Sequence, residues 1–304
     1  MPAGTPPPDL LILSGRICWT RSAWGRTCWA QSAAFDLLRS ARGPPISYYD
    51  RRLLTMCHAD GSIPPESPRG GAFDSAQDLH LTSADGTPFM AYHARTSRAG
   101  APAVVILPDF RGLHDFYRRL ADKLAAAGID ALAIDYFGRT LPDGPRTGDP
   151  AEMVPMVLGL PPELVAADIH AATAELRGNG AEQVFSLGFC FGGSQSWLQS
   201  ASPDGLTGCI GFYGRPEECR AQLPLMRSPL LLLVAGADAL TPVEDFQRFD
   251  QELSAADVEH TMVIYPQAPH SFFDGAAGHD EACADAWQRL LDFVDSNCAA
   301  GITA

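Results

Sequence analysis

The sequence predicts an α/β protein built on one doubly wound, mostly parallel sheet with helices on both faces. Three observations carry that expectation. Short apolar runs of strand length recur between stretches of helical periodicity. One of them ends in a glycine-rich turn, Gly188-Phe189-Cys190-Phe191-Gly192-Gly193, that opens into a helix. Cys190, Asp238 and His270 each stand just past the C-terminal end of such a run, the edge of an open parallel sheet where sites are built.

The first 55 residues read unlike the rest. They hold seven arginines (16, 21, 26, 39, 42, 51 and 52) against three acids, Asp9, Asp36 and Asp50. Three of the five tryptophans, Trp19, Trp24 and Trp29, fall here beside Cys18 and Cys28. Hydrophobic periodicity is poor, and Leu10 to Leu13 is too short for the apolar region of a signal peptide. The stretch is expected to be a poorly structured extension outside the fold, with a transit peptide or basic binding arm as the other readings. Residues 56–304 are expected to form the catalytic domain.

Within that domain the elements alternate. Leu79 to Thr82 and Pro88 to Ala94 flank Asp85-Gly86, a hairpin signal. Ala103 to Leu107 is the first core strand, and Phe116, Leu120, Leu124 and Ala127 mark one face of the helix after it. Ala131 to Ile134 is the next strand. Residues 138–162 form a long Gly- and Pro-rich connection that carries Met153, Val154, Met156, Val157 and Leu158. It reads either as a lid or as a surface segment packed down on the domain. Leu164 to Leu176 is a helix ended near Gly178 and Gly180. The strand Val184 to Leu187 and a helix through Leu198 follow, then strands Cys209–Phe212 and Leu230–Val234. A helix from Val243 to Leu253, the strand Thr261–Tyr265 and a helix from about Glu281 to Val294 complete the chain.

The chemistry centres on Cys190. A strand that ends in G-x-C-x-G-G and turns into a helix has the form of a nucleophile elbow, where glycines flank a bend too tight for side chains. A thiol is already a good nucleophile and a thiolate a far better one, and a helix N-terminus and an imidazolium both favour the thiolate. Cysteine is equally a small, commonly buried hydrophobe, so the hexapeptide alone leaves a packing role open. Asp238 in Gly236-Ala237-Asp238 and His270 in Pro269-His270-Ser271-Phe272 decide between the two. The order nucleophile, acid, histidine is that of an α/β-hydrolase. In that arrangement His270 takes the thiol proton, Asp238 orients the imidazole, and the N–H groups of Phe110 and Phe191 hold the oxyanion.

These motifs, with Leu107-Pro108-Asp109-Phe110-Arg111-Gly112 and Asp135-Tyr136-Phe137-Gly138-Arg139, resemble the dienelactone hydrolase (carboxymethylenebutenolidase) family from about Asp78 to Asp295. The resemblance implies the α/β-hydrolase fold and a cysteine hydrolase of lactones or esters. It makes Asp109, Tyr136, Arg139 and Ser271 candidates for substrate binding or thiol relay. The best-known members carry glutamate where Asp109 stands and arginine where Asp274 stands, which implies a different relay here and one carboxylate-binding arginine fewer. Arg139 is the remaining candidate clamp, and a neutral lactone or short ester is expected at least as much as dienelactone. Relatives often open with Met-Cys-His, as at Met56-Cys57-His58, which makes Met56 a plausible start.

Composition bounds the rest. The chain has 304 residues, 46% of them hydrophobic and 19% charged, enough for one sizeable domain and an extension. Its formal charge of −14 speaks against nucleic acid or anionic membrane as partners. No apolar run is long enough for a membrane helix. Eight cysteines lie without paired spacing, so neither a zinc site nor a disulfide framework is suggested, and no cofactor is called for. Unpaired thiols fit a reducing cytoplasm. The expected partner is a small lactone or ester, with the chain a monomer or homodimer. A non-catalytic binding protein on the same fold, a thiol oxidoreductase, and a thioesterase, amidase or acyltransferase on the same triad are the other readings.

Overall fold

The computed structural model describes residues 58–71, 73–144, 146 and 150–300, together with two short strands, Leu11–Leu13 and Arg16–Cys18. Those two pair antiparallel, Leu11 opposite Cys18, a pairing that the weak periodicity of the region does not announce. The rest of the expected extension, and Met56 with it, lies outside the described residues. The chain divides into two compact units, Met1–Pro45 and Ile46–Ala304.

The larger unit is organised by an eight-stranded sheet. Its strands are β1 (Ser75–Thr82), β2 (Pro88–Arg95), β3 (Ala103–Leu107), β4 (Asp130–Ile134), β5 (Val184–Phe189), β6 (Gly208–Phe212), β7 (Leu230–Ala235) and β8 (His260–Tyr265). They lie in the order β8-β7-β6-β5-β3-β4-β2-β1. The β1–β2 and β2–β4 pairs are antiparallel, and every other pair is parallel. β1 and β2 are joined through residues 83–87, where Ser83 N–H donates to the Thr87 carbonyl at 2.9 Å and Gly86 takes φ +87°.

Every residue of β3, β5, β6 and β7 is buried. Because neighbouring side chains on a strand point to opposite faces, both faces of the sheet centre are covered. The covering helices are α1 (Asp115–Ala126), α2 (Pro150–Leu158), α3 (Pro162–Gly178), α4 (Phe191–Leu198), the single turn α5 (Pro216–Cys219), α6 (Val243–Ala255) and α7 (Asp280–Ala300). α1 buries Phe116, Leu120 and Leu124, the spacing the sequence predicts.

α1 and α3 stop by the same device. Gly128 and Gly180 take positive φ (+89° and +96°) one residue past the cap. The following N–H groups, of Ile129 and Ala181, then reach back to the carbonyls of Leu124 and Leu176 at 3.0 and 3.1 Å. Each stop sends the chain directly into the next strand. Among the described residues no helix is long and apolar enough to cross a membrane.

Part of the long connection is the helix α2. Met153, Val154 and Val157 on α2 are buried, while Met156 faces outward. The sequence reading gives no helix within this connection, and Pro155 stands inside the one observed.

Candidate active site

β5 ends at Phe189, and Cys190 occupies the bend before α4 with φ +55° and ψ −116°. That backbone is strained for a residue with a Cβ, by roughly 1–3 kcal/mol, and is tolerated because its neighbours hold it. The Cys190 N–H donates to the Phe212 carbonyl at 3.1 Å, and its own carbonyl accepts from Gly193 N–H at 3.0 Å. A side chain on Gly188 would run into the carbonyl of Gly192, and one on Gly192 into the carbonyls of Leu107 and Pro108. The glycines are therefore needed for the close approach of strand, bend and helix. Cys190 is left buried, at 5% exposure.

Asp238 and His270 follow β7 and β8. His270 Nδ1–H donates to Asp238 Oδ2 at 2.7 Å, with both side chains shut off from solvent. The second carboxylate oxygen, Oδ1, accepts the Leu240 N–H at 2.7 Å. With Nδ1 so engaged, Nε2 is the nitrogen left for chemistry. Burial pushes the imidazole's pKa down, but the charge of the Cys190 sulfur and the bond to Asp238 prevail and raise it to about 10. The Tyr213 ring packs on the imidazole with centroids 4.8 Å apart.

The loop after β3 forms the adjoining wall. Phe110 and Phe191 are both buried, and the close approach of Gly192 to Leu107 and Pro108 brings the start of α4 against this loop. Phe191 is the first residue of α4, so its N–H has no intrahelical acceptor. Tyr136 braces the loop: its hydroxyl donates to the Pro108 carbonyl at 3.2 Å, and its ring meets Phe191 edge-on at 5.2 Å. Burial, followed by the charges of Asp109 and Asp135, pushes the Tyr136 hydroxyl well up, so it remains a donor.

The relay and clamp candidates divide. Asp109 is fully buried, and its Oδ1 accepts the Arg111 N–H at 2.8 Å and lies 3.8 Å from His114 Nε2. Burial opposes its charge, but the neighbouring histidines hold its pKa below the ordinary value. Ser271 sits at φ +57° with its hydroxyl buried and, among the described residues, without a hydrogen-bond partner. Arg139, the candidate carboxylate clamp, is engaged by protein groups. It pairs with Asp85, and it donates to Thr87 at 2.9 Å, Ser83 at 3.0 Å and Asp168 at 2.7 Å. The hairpin tip brings those acceptors to it, and no spacing in the sequence announces them.

Three residues at the site escaped sequence reading. His58 and Tyr213 share a hydrogen bond at 3.2 Å beside His270. Arg215, paired with Glu217 and Glu218, lies within electrostatic reach of Cys190. Only Tyr213 had a signal available, its place just past the end of a strand.

Strand order, the bend at Cys190 and the acid–histidine pair past β7 and β8 define an α/β-hydrolase. The chain belongs to the dienelactone hydrolase family, whose sequence profile matches residues 89–297. A Salmonella typhi protein named "Putative carboxymethylenebutenolidase" is 30% identical over 261 residues, 79% of this chain and 97% of that one. The carboxymethylenebutenolidase of Rhodococcus opacus is 29% identical over 263 residues, 81% of this chain and 99% of its own. A solved Klebsiella pneumoniae structure described as "Putative Dienelactone Hydrolase" superposes with a TM-score of 0.63 at 28% identity, covering 73% of this chain and 99% of that one. The chain is a hydrolase of this family.

Proposed function

We propose that this chain hydrolyses small lactones or short-chain carboxylic esters through an acyl intermediate on Cys190, with His270 as base and Asp238 as its orienting acid. The observation that carries the reading is the 2.7 Å bond from His270 Nδ1 to Asp238, joined to the action of Cys190 on the same imidazole. His270 Nε2 accepts the thiol proton and leaves a thiolate beside an imidazolium. The sulfur forms a bond to the ester carbonyl, and the oxygen that becomes negative is met by the N–H groups of Phe191 and Phe110. Each such donor is worth roughly 3–4 kcal/mol.

Collapse of the tetrahedral species breaks the carbon–oxygen bond, and the imidazolium returns its proton to the departing alkoxide. In a lactone the ring opens and nothing is released. Water then gives a proton to His270 and its oxygen to the thioester, which restores the thiol and frees the acid.

With Arg139 held by four protein partners, the reading favours substrates without a carboxylate. The formal charge of −14 likewise favours uncharged esters over polyanions. Turnover of p-nitrophenyl acetate by the parent chain, Cys190→Ala and His270→Ala tests the assignment. Loss of at least about a thousandfold in both variants is expected; parent-level turnover in Cys190→Ala would remove the sulfur from the mechanism.

A further inference from the structure

The segment from His58 to Pro65 is fastened across the site by contacts distant in sequence. Arg111 donates to the His58 carbonyl at 2.6 Å and pairs with Asp60. Ile63 N–H donates to Asp274 Oδ1 at 3.1 Å, and its carbonyl accepts from Gly275 N–H at 2.8 Å. Trp287 Nε1–H donates to the Pro65 carbonyl at 3.0 Å. Asp274, where the best-known relatives have arginine, thus serves to hold this segment.

The fastening places one imidazole under the catalytic histidine. His58 stacks on Phe116, centroids 3.7 Å apart and planes 18° from parallel, and its edge meets Phe189. Its Nε2 lies 3.2 Å from the Tyr213 hydroxyl, and Tyr213 in turn packs on His270 at 4.8 Å. Tyr213 stands at φ +37°, an unfavourable backbone for a bulky residue that needs outside support. His270 and Ser271 lie in a turn beyond β8 rather than in a regular element, so its ring depends on such contacts for orientation.

We propose that His58 is a positioning residue of the hydrolytic site: by holding the Tyr213 hydroxyl it fixes the ring against which His270 is aligned toward Cys190. A purely space-filling role fits poorly, because phenylalanine would fill the slot between Phe116 and Phe189 without the cost of burying a polar ring. Among the described residues His58 Nδ1 is buried without a hydrogen-bond partner, and Nε2 keeps its contact to the Tyr213 hydroxyl. Burial, reinforced by His114 and His270 against the opposite pull of Asp109 and Asp274, lowers the His58 pKa to about 4. The ring is therefore neutral at neutral pH.

The inference rests on His270 being the base, and the experiment separates the two claims. In the full chain, His58→Phe keeps the stacked ring and removes the nitrogen, Tyr213→Phe removes the hydroxyl alone, and His58→Gln restores a polar group. Turnover of p-nitrophenyl acetate is measured per titrated Cys190, alongside the melting midpoint. His58→Phe and Tyr213→Phe are expected to lower kcat roughly tenfold each, the double variant no further, and His58→Gln to recover most of the loss. Parent-level kcat in His58→Phe, or losses that multiply in the double variant, would overturn the proposal. So would a lowered melting midpoint with unchanged kcat. A silent His58→Phe beside an inactive Cys190→Ala rejects the positioning claim alone; an active Cys190→Ala rejects the catalytic reading and this claim with it.

Discussion

Asp238 and His270 meet through a 2.7 Å hydrogen bond to Nδ1 although 32 residues separate them in sequence. Strands β7 and β8 run parallel with Ala235 opposite Tyr265, so the segments leaving both strands emerge side by side at the same sheet edge. The bond sets the tautomer that presents Nε2. Asp238→Asn replaces the acceptor with an amide that can favour the other tautomer. It is expected to lower kcat/KM by about 10³–10⁴-fold with little change in fold, and to lower the His270 pKa below its present value of about 10. Steady-state kinetics and an NMR titration of the imidazole check both parts.

Gly192 is the tightest point between α4 and the loop after β3, since an added Cβ would meet the Leu107 and Pro108 carbonyls. Gly192→Ala must push backbone apart beside Phe110 and Phe191, the proposed oxyanion donors. A stability loss of about 1–3 kcal/mol is expected, with kcat falling as well. Urea denaturation and ester turnover measure the two, and a variant equal to the parent in both would remove the packing argument.

His58 links pH to stability. Its pKa is about 4 in the folded chain against 6.5 for the free side chain, so the unfolded chain binds a proton that the folded one refuses. Its contribution is complete above pH 6.5 and declines as pH falls toward 4, by about 3 kcal/mol over that window. His58→Phe is expected to flatten this part of the stability curve. Urea unfolding at pH 7 and pH 4.5 shows whether the slope changes.

Arg139 is expected to matter for folding more than for substrate. Arg139→Ala leaves the buried carboxylate of Asp168 without its partner, a change that costs about 3–5 kcal/mol for a well-buried pair. KM for anionic and neutral esters is expected to move together. A rise confined to anionic substrates would instead support Arg139 as a clamp.

The elements carrying the site were legible because each has a local cause. The apolar runs of β5, β7 and β8, the glycines around Cys190 and the residues that follow the strands are all visible in short windows. Boundaries shifted where pairing extends a strand beyond its apolar stretch: β1 begins at Ser75, four residues before Leu79, because its exposed half pairs with β2. What escaped depends on contacts across the chain. Nothing near Arg139 in sequence reveals Asp85 and Asp168 as its partners. His58, read only as part of a starting motif, reaches the site through Arg111, Asp274 and Trp287, which lie far along the sequence. α2 was hidden by Pro155, a helix breaker tolerated here one turn inside the element.

The most direct test is the mass of the enzyme during turnover of p-nitrophenyl acetate, quenched in acid and mapped by peptide. The account predicts one acetyl group as a thioester on Cys190, formed with a burst of one p-nitrophenolate per active site. Turnover at the parent rate with Cys190 unmodified, or with the acetyl group confined to another residue, would contradict it.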